Sequence, residues 1–312
     1  MSVVAISGGV GGAKLALGLD RSLPAGDLTV LVNTGDDFDH LGLKICPDID
    51  TVLYTLADLA DPAQGWGRRD ETWTLMQTLA SLGEETWFKL GDADTALHVA
   101  RTRRLKAGST LTEVTEHFRA QFGIASPILP MTNQCVQTRI DTDEGDLAFQ
   151  EYFVRRRCTP RARAIRFVGA ADAAPAPGVA AALASPGLEA IVLCPSNPYL
   201  SIDPILAIAG LRKALENRAA PLIAVSPLIG GAAVKGPTAK IMQELGIPMT
   251  PVSIFEHYRG LIDALVVDSV DAEAASGLPI PTFATATLMT TLDDRLRLAQ
   301  FVLECARTLP RH

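Results

Sequence analysis

The chain has 312 residues, of which 48% are hydrophobic, and a formal net charge of −7. This is enough for a substantial core in one large α/β domain or two smaller ones, and the charge gives no general attraction to nucleic acid or acidic membranes. The five cysteines are scattered and form no CxxC pair, which argues against a disulfide framework or a zinc site and favours a reducing cytoplasm.

The N-terminal segment has no basic stretch before its apolar residues, and the first apolar run breaks at Gly8. No apolar run approaches the roughly 20 residues that span a bilayer. We therefore expect no signal peptide, no membrane partner and a cytoplasmic location.

Short, continuous apolar runs alternate with helical patterns, as in a doubly wound parallel sheet. The predicted strands are residues 3–7, 28–33, 164–168, 189–193, 221–225 and 264–267. The patterns at residues 13–23 and 238–245 predict helices that follow strands.

A long insertion, about residues 50–160, separates the second and third predicted strands. Its patterns predict helices over residues 51–59, 70–82, 94–104 and 111–122. Residues 136–141 and 147–153 resemble a hairpin around Asp143, Glu144 and Gly145. We expect residues 1–312 to form one domain whose mostly helical insertion partly covers the binding edge of the sheet.

Four polar or glycine-rich loops directly follow predicted strands, at residues 8–12, 33–37, 195–198 and 226–231. The carboxyl ends of parallel strands share one edge, so all four loops should meet at one ligand-binding crevice. The bare backbone of the first loop suits a phosphate or nucleotide. Lys14 follows too soon for a Walker A motif and the glycine spacing is not GxGxxG, which disfavours a nicotinamide oxidoreductase.

Acidic residues cluster close to the first loop. Asp36, Asp37, Asp48 and Asp50 offer the hard oxygen ligands that magnesium prefers. The alternative is that Asp48 caps a helix and that Asp36 or Asp37 stabilises a turn, so we expect at most two metal ligands among them.

Charged side chains also follow the aromatic pair at residues 87–88. Lys89 either faces an anionic ligand or is a surface lysine at a turn. His98 and Arg101 share a helix face and either reach a phosphate or lie on a solvated surface. No Ser-His-Asp or Cys-His arrangement argues for a covalent intermediate.

A set of segments runs nearly from end to end and carries a family resemblance: SGGVGGAKLALGL, VNTGDD, CPDIDTVLYTL, WGRRDETW, WFKLGDADTALHVARTRRL, ILPMTNQ, FQEYFVR, CPSNPYLSIDPIL, VSPLIGGAAVKGP and TLMT. In this order they resemble the 2-phospho-L-lactate transferase (CofD-type) family of coenzyme F-420 biosynthesis. The resemblance implies a Rossmann-like fold with a helical insertion.

The implied reaction joins the ribityl 5′-hydroxyl of the deazaflavin Fo to a phosphorylated three-carbon acid, giving coenzyme F-420-0 or its analogue. The donor is that acid as a GDP diester, and GMP leaves. The acid is 2-phospho-L-lactate or, alternatively, phosphoenolpyruvate or 3-phosphoglycerate. The resemblance further implies Mg²⁺, a partner guanylyltransferase that supplies the donor, and a homodimer.

Site residues follow from the same resemblance. Asp50 and Lys89 match the deazaflavin-binding positions, and Asp36, Asp37 and Asp50 are the candidate metal ligands. We expect Asp50, Asp36 and Lys89 to be catalytic, with Arg101 as a further anion-stabilising residue. The remaining candidate substrate-binding residues are Gly9, Gly11, Gly12, Lys14, Thr34, Ser196, Asn197, Ser226 and Gly230.

One departure concerns the donor, since Asp203 lies where glycine is expected in many relatives. A rival interpretation is a non-catalytic regulator that binds a nucleotide sugar, because distant relatives of that kind share the glycine-rich opening. The acidic residues, Lys89 and FQEYFVR favour the transferase.

Overall fold

A computed structural model describes residues 2–62, 66–233 and 236–312. Its helices are α1 Gly9–Ser22, α2 Pro47–Leu56, α3 Thr74–Ser81, α4 Asp92–Lys106, α5 Leu111–Gln121, α6 Val179–Leu183, α7 Asp203–Leu206, α8 Leu211–Glu216, α9 Thr238–Glu244, α10 Pro251–His257, α11 Ala272–Ala275 and α12 Leu292–Thr308. Its strands are β1 Ser2–Ser7, β2 Leu28–Val32, β3 Phe38–His40, β4 Leu43–Ile45, β5 Ile128–Pro130, β6 Gln137–Thr142, β7 Gly145–Ala148, β8 Ala162–Val168, β9 Leu188–Leu193, β10 Leu222–Val225, β11 Leu228–Ile229, β12 Ala232–Ala233, β13 Ala264–Asp268 and β14 Thr282–Thr285.

The central sheet has seven strands in the order β14-β13-β10-β9-β1-β2-β5, and every neighbouring pair is parallel. Successive side chains of a strand point to opposite faces, so Val3 and Ala5 join one apolar core while Val4 and Ile6 join the other. Helices cover both faces. This confirms the predicted α/β class with a doubly wound parallel sheet.

The strand order creates a switch point at β1. The chain passes from β1 to β2 and β5 on one side and returns to β9 on the other side. Loops that leave adjacent strands in opposite directions open a crevice at the carboxyl edge of the sheet. The loops after β1 and β9 therefore flank the expected binding position.

The strand predicted at residues 164–168 exists but belongs to a different sheet, so its placement in the central sheet is wrong. β8 pairs antiparallel with β6, which also pairs with β7. Its residues alternate between exposed and half-buried, as expected of a strand with one solvated face. Its apolar residues suit a strand of either sheet, and the sequence alone does not show which sheet the strand joins.

The predicted hairpin is confirmed at its turn, but its second strand is too long. β7 ends at Ala148, and the chain continues as a π-helical turn over Glu151–Arg155. Tyr152 is fully buried in this turn. Its aromatic residues predicted a strand, and tertiary packing overrode that preference.

The four helices predicted within residues 50–160 correspond to α2, α3, α4 and α5. The same stretch contributes β5, which the sequence did not predict and which pairs with β2 at the edge of the central sheet. Treating about 50–160 as a subdomain of one 1–312 domain stays a prediction. Across the described ranges no helix is long and apolar enough to cross a membrane.

Candidate active site

A cavity of about 900 Å³ opens at the carboxyl edge of the central sheet. All four strand-end loops contribute to its lining, through Gly8–Gly11, Asp36, Pro195–Asn197 and Ser226–Pro227. Their predicted convergence is therefore confirmed. The volume lies at the upper end of the range that holds drug-sized ligands, about 300–1,000 Å³.

The N-terminus of α1 forms one wall. The Gly8 N–H donates to Ser196 Oγ (3.1 Å), and the Gly9 N–H donates to Asp48 Oδ1 (2.7 Å). A Cβ on Gly11 would collide with the Pro195 carbonyl oxygen, so glycine is required for this close approach. The positive end of the helix dipole thus faces a cavity with little side-chain bulk, which favours an anionic ligand.

Two buried carboxyl groups lie beside this wall. Asp48 also accepts a hydrogen bond from Asn33 Nδ2 (3.0 Å), and burial raises the pKa of Asp48 to about 6. Burial and the neighbouring Asp48 charge raise the pKa of Asp36 well above its usual value. Among the residues that the structure describes, Asp36 Oδ1 is buried without a hydrogen-bond partner. A partnerless carboxylate oxygen in a cavity wall fits a cation ligand.

Asp50 lies elsewhere in the lining and is held by an ion pair. Arg101 donates from Nη1 to Asp50 Oδ2 (3.0 Å) and from Nη2 to Asp50 Oδ1. The Arg101 side chain is only 1% exposed. The expectation that Arg101 faces an anionic ligand is therefore wrong, because its guanidinium is already committed to a buried carboxylate.

A histidine and a second aspartate adjoin this pair. His98 Nδ1 lies 3.6 Å from Asp50 Oδ2, and His98 Nε2 lies 3.2 Å from Asp94 Oδ2. Asp50, Asp94 and His98 each place a ligand atom within 4.8 Å of the others, so they form a candidate divalent-metal group. Sequence reasoning missed Asp94, although its i,i+4 spacing from His98 was a usable signal.

Aromatic side chains form much of the remaining lining. Trp87, Phe88, Phe149 and Phe153 all border the cavity. Phe149 and Phe153 stack with ring centroids 5.4 Å apart, and the Arg155 guanidinium lies 5.8 Å from the Trp87 ring centroid. The charges near Lys89 indicate nothing about this apolar wall. The adjacent Trp87-Phe88 pair was the signal for an apolar, ring-binding surface.

Most of the predicted substrate-binding residues do meet in the cavity. Lys89 is exposed at its edge, and Lys14 Nζ donates to the Met289 carbonyl (2.6 Å). Asn197 Oδ1 accepts from the Tyr199 and Leu200 N–H groups and so caps a helical turn. The predicted residues in the lining are Gly9, Gly11, Lys14, Asp36, Asp50, Lys89, Ser196, Asn197 and Ser226.

Four predicted residues are absent from the lining that the described ranges form: Gly12, Thr34, Asp37 and Gly230. Gly12 packs against the hydroxyls of Ser7 and Ser196, and the Gly230 N–H donates to Asp271 Oδ2 (2.9 Å). Burial raises the pKa of Asp37 to about 7. These residues shape the loops, and their direct roles at a ligand or metal stay predictions.

Known proteins match this chain over nearly its whole length. The family model described as "2-phospho-L-lactate transferase CofD" matches residues 3–277. A "Phosphoenolpyruvate transferase" of Streptomyces griseus is 41% identical over 98% of each chain. A "2-phospho-L-lactate transferase" of Methanocaldococcus jannaschii is 35% identical over 98% of this chain and 99% of its own.

A solved structure supports the fold. The crystal structure of a UPF0052-family protein from Bacillus halodurans aligns with a TM-score of 0.64 over 97% of this chain and 100% of its own. At 14% identity it establishes the fold alone. With the family match and the relatives above, the chain belongs to the 2-phospho-L-lactate transferase CofD family and is a transferase that acts on phosphate groups.

Proposed function

We propose that this transferase moves a phosphorylated three-carbon acid from its GDP diester to the ribityl hydroxyl of Fo, with GMP as the leaving group. One observation carries the proposal. The same cavity joins a glycine-rich helix N-terminus and buried carboxylates to an aromatic wall. The charged diester needs the polar environment of the helix N-terminus, and the planar deazaflavin ring that carries the acceptor hydroxyl needs the aromatic one beside it.

The donor belongs at the glycine wall. Gly9 has open space where a side chain would stand and so leaves room for phosphate oxygens, and Lys14 and the α1 dipole supply positive potential. Polar side chains of the β9 and β10 loops offer further contacts, through Ser196, Asn197 and Ser226. Displacement at phosphorus builds charge on the phosphate oxygens, so fixed positive groups lower the barrier.

The acceptor belongs at the aromatic wall. Trp87, Phe88, Phe149 and Phe153 offer ring faces and edges for a flat deazaflavin. Asp50 holds the attacking hydroxyl and accepts its proton. Lys89 stabilises the developing negative charge. The protein then acts chiefly by aligning the hydroxyl with the phosphorus atom.

We assign the metal to Asp36 in particular. Its partnerless oxygen and the charge of Asp48 beside it leave the carboxylate in need of a cation. Asp50 is already paired with Arg101 and Asp37 is absent from the lining that the described residues form, so both are weaker candidates. Bound Mg²⁺ would supply charge neutralisation at the phosphate.

Phosphoenolpyruvate is the second candidate for the transferred acid. The Streptomyces griseus relative that carries this name is more similar to the chain, at 41% identity, than the Methanocaldococcus jannaschii 2-phospho-L-lactate transferase, at 35%. Discrimination between such acids is worth about 1–3 kcal/mol in a pocket. 3-Phosphoglycerate completes the set to be tested.

The deciding experiment supplies the protein with Fo, GTP, Mg²⁺ and a partner guanylyltransferase, with each acid in a separate reaction. Mass spectrometry of the deazaflavin product identifies the acid that is transferred. If no deazaflavin product forms with any of the three acids, the proposal is rejected. Fo binding, followed by fluorescence, separates it from a nucleotide-sugar-binding regulator, which should ignore Fo and prefer a UDP-sugar.

The metal assignment makes its own prediction. Asp36→Asn should raise the Mg²⁺ concentration that gives half-maximal transfer by at least about tenfold, because a charged ligand is lost. Asp39→Asn is the control, since Asp39 is exposed on β3 and is absent from the cavity lining among the described residues. An unchanged Mg²⁺ requirement in Asp36→Asn would remove Asp36 as a ligand.

A further inference from the structure

Two helices meet through a buried polar network, four of whose members line the cavity. α2 contributes Asp50 and Tyr54, and α4 contributes Asp94, His98 and Arg101. The members of each helix are three or four residues apart and therefore share a face. Arg101 and His98 are both 1% exposed. A charged network at this depth is costly unless every member is paired.

Arg101 also contacts His98 within the network. Arg101 Nη1 lies 3.1 Å from His98 Nδ1, and a guanidinium only donates, so His98 Nδ1 accepts. The second ring nitrogen of His98, Nε2, faces Asp94. That nitrogen lies 3.2 Å from Asp94 Oδ2, although the direction falls outside hydrogen-bond geometry.

The far end of the network is anchored as well. The Tyr54 hydroxyl donates to Asp94 Oδ1 (2.6 Å). Arg101 Nη1 also points to the Lys44 carbonyl oxygen (3.4 Å). The guanidinium is thus restrained by α2, by α4 and by the backbone of β4.

Asp50 borders the cavity, whereas Arg101 is absent from the lining that the described part of the chain forms. A carboxylate has about four lone-pair sites, of which the Arg101 fork takes two. The others remain for a ligand. The fork fixes the plane of the carboxylate, and hence the direction of those lone pairs.

We propose that Arg101, oriented by His98 and Asp94, is a positioning residue that aims the Asp50 carboxylate at the acceptor hydroxyl. This rests on the proposed function, in which Asp50 binds that hydroxyl. A displacement of about 1 Å in such an alignment costs about 10²-fold in rate. Arg101 therefore acts on transfer only through Asp50.

A double-mutant cycle on the full-length protein tests this. Transfer to Fo is measured with Asp50→Asn, Arg101→Gln and the double variant, using whichever acid the wild type accepts. We expect Arg101→Gln to lower kcat by about 10²-fold and to leave the donor KM within about twofold. The double variant should match Asp50→Asn within about twofold, because the Asp50 charge is already absent.

The matched control is Arg103→Gln. Arg103 is on the same helix and exposed, so kcat should be unchanged. Arg101→Lys keeps the charge without the planar fork and should recover only part of the lost kcat. His98→Gln should lower kcat less than Arg101→Gln, and Asp50→Asn should suppress its effect too.

Several results would overturn the proposal. Additive losses in the double variant would make Arg101 independent of Asp50, and a donor KM that rises with the loss of kcat would indicate general structural damage. If Arg101→Gln does not fold, the same cycle with Arg101→Lys decides by the same criteria. A wild type that transfers no acid rejects the proposed function itself, whereas an active wild type with an additive cycle rejects only this inference.

Discussion

Buried carboxyl groups make the acidic loop after β2 sensitive to pH. Burial raises the pKa of Asp37 from its usual 3.8 to about 7, and Asp37 Oδ1 has no hydrogen-bond partner in the described part of the chain. Between these values the folded chain binds a proton that the unfolded chain has released. The contribution of Asp37 to the free energy of unfolding therefore falls as pH rises from about 4 to about 7, by roughly 1.4 kcal/mol for each pH unit.

Asp37→Asn should remove much of this fall, because the amide cannot ionise. Urea unfolding between pH 4.5 and pH 8 without divalent cations measures the effect. Asp39→Asn is the control, since Asp39 is exposed. An Asp37→Asn variant that loses stability with pH as steeply as the wild type would contradict this account.

The residues of the site were only partly predictable. Asp36 and Asp50 do border the cavity, because the carboxyl end of a parallel strand and the start of a nearby helix can be read from local pattern. Arg101 was misjudged. Its helix face was predictable, but the partner on α2 lies 51 positions away and is defined only by packing.

At the scale of elements, α1 begins inside the glycine cluster, at Gly9, whereas the sequence pattern predicted that this helix begins at residue 13. Glycine is a poor helix former by about 1 kcal/mol relative to alanine, so local propensity disfavours this start. The hydrogen bonds of the Gly8 and Gly9 N–H groups to Ser196 and Asp48 stabilise it instead. These contacts come from the loop after β9 and from α2, both distant in the sequence.

Gly11→Ala separates the two effects. Helix propensity alone favours alanine, but its Cβ would collide with the Pro195 carbonyl, and backbone cannot move aside cheaply. We expect a net loss of about 1–3 kcal/mol in the free energy of unfolding and weaker donor binding. Gly277→Ala has open space at its Cβ and should be nearly neutral. Chemical denaturation of both variants measures this, and a stabilised Gly11→Ala would refute the close approach.

For the whole molecule, two apolar cores on opposite faces of the sheet support the cavity at its edge. α12 packs against α1 and contributes Leu298, which is fully buried in the core that also holds Val3 and Ala5. The segment just before α12 reaches the cavity, where Lys14 donates to the Met289 carbonyl. The C-terminal helix therefore supports the donor wall from behind.

Leu298→Ala should lower the free energy of unfolding by about 2–5 kcal/mol through lost burial and a new cavity. Leu292 is 48% exposed, and Leu292→Ala should change stability by no more than about 0.5 kcal/mol. Thermal or urea unfolding compares the two. Equal losses in both variants would show that α12 is not part of the core. The preferred acid should be the same in both, since neither side chain borders the cavity among the described residues.

Much of the fold followed from the sequence. The cytoplasmic location and the homodimer stay predictions. Continuous apolar runs alone determined the parallel sheet, because strands buried on both faces leave a local signature in β1, β2, β9, β10 and β13. The edge strands β5 and β14 were not predicted, because they are short and their apolar pattern is less distinctive.

Only the tertiary structure decided which side chains meet. Sequence pattern reports periodicity along one element, whereas the cavity is built where α2, α4 and four strand-end loops converge. The ion pair of Asp50 with Arg101, the partnerless oxygen of Asp36 and the aromatic wall all arise at such junctions. The sequence determined the scaffold, because a buried strand leaves a local pattern of apolar residues. Packing decided the site, because contacts between residues distant in the chain leave no such local pattern.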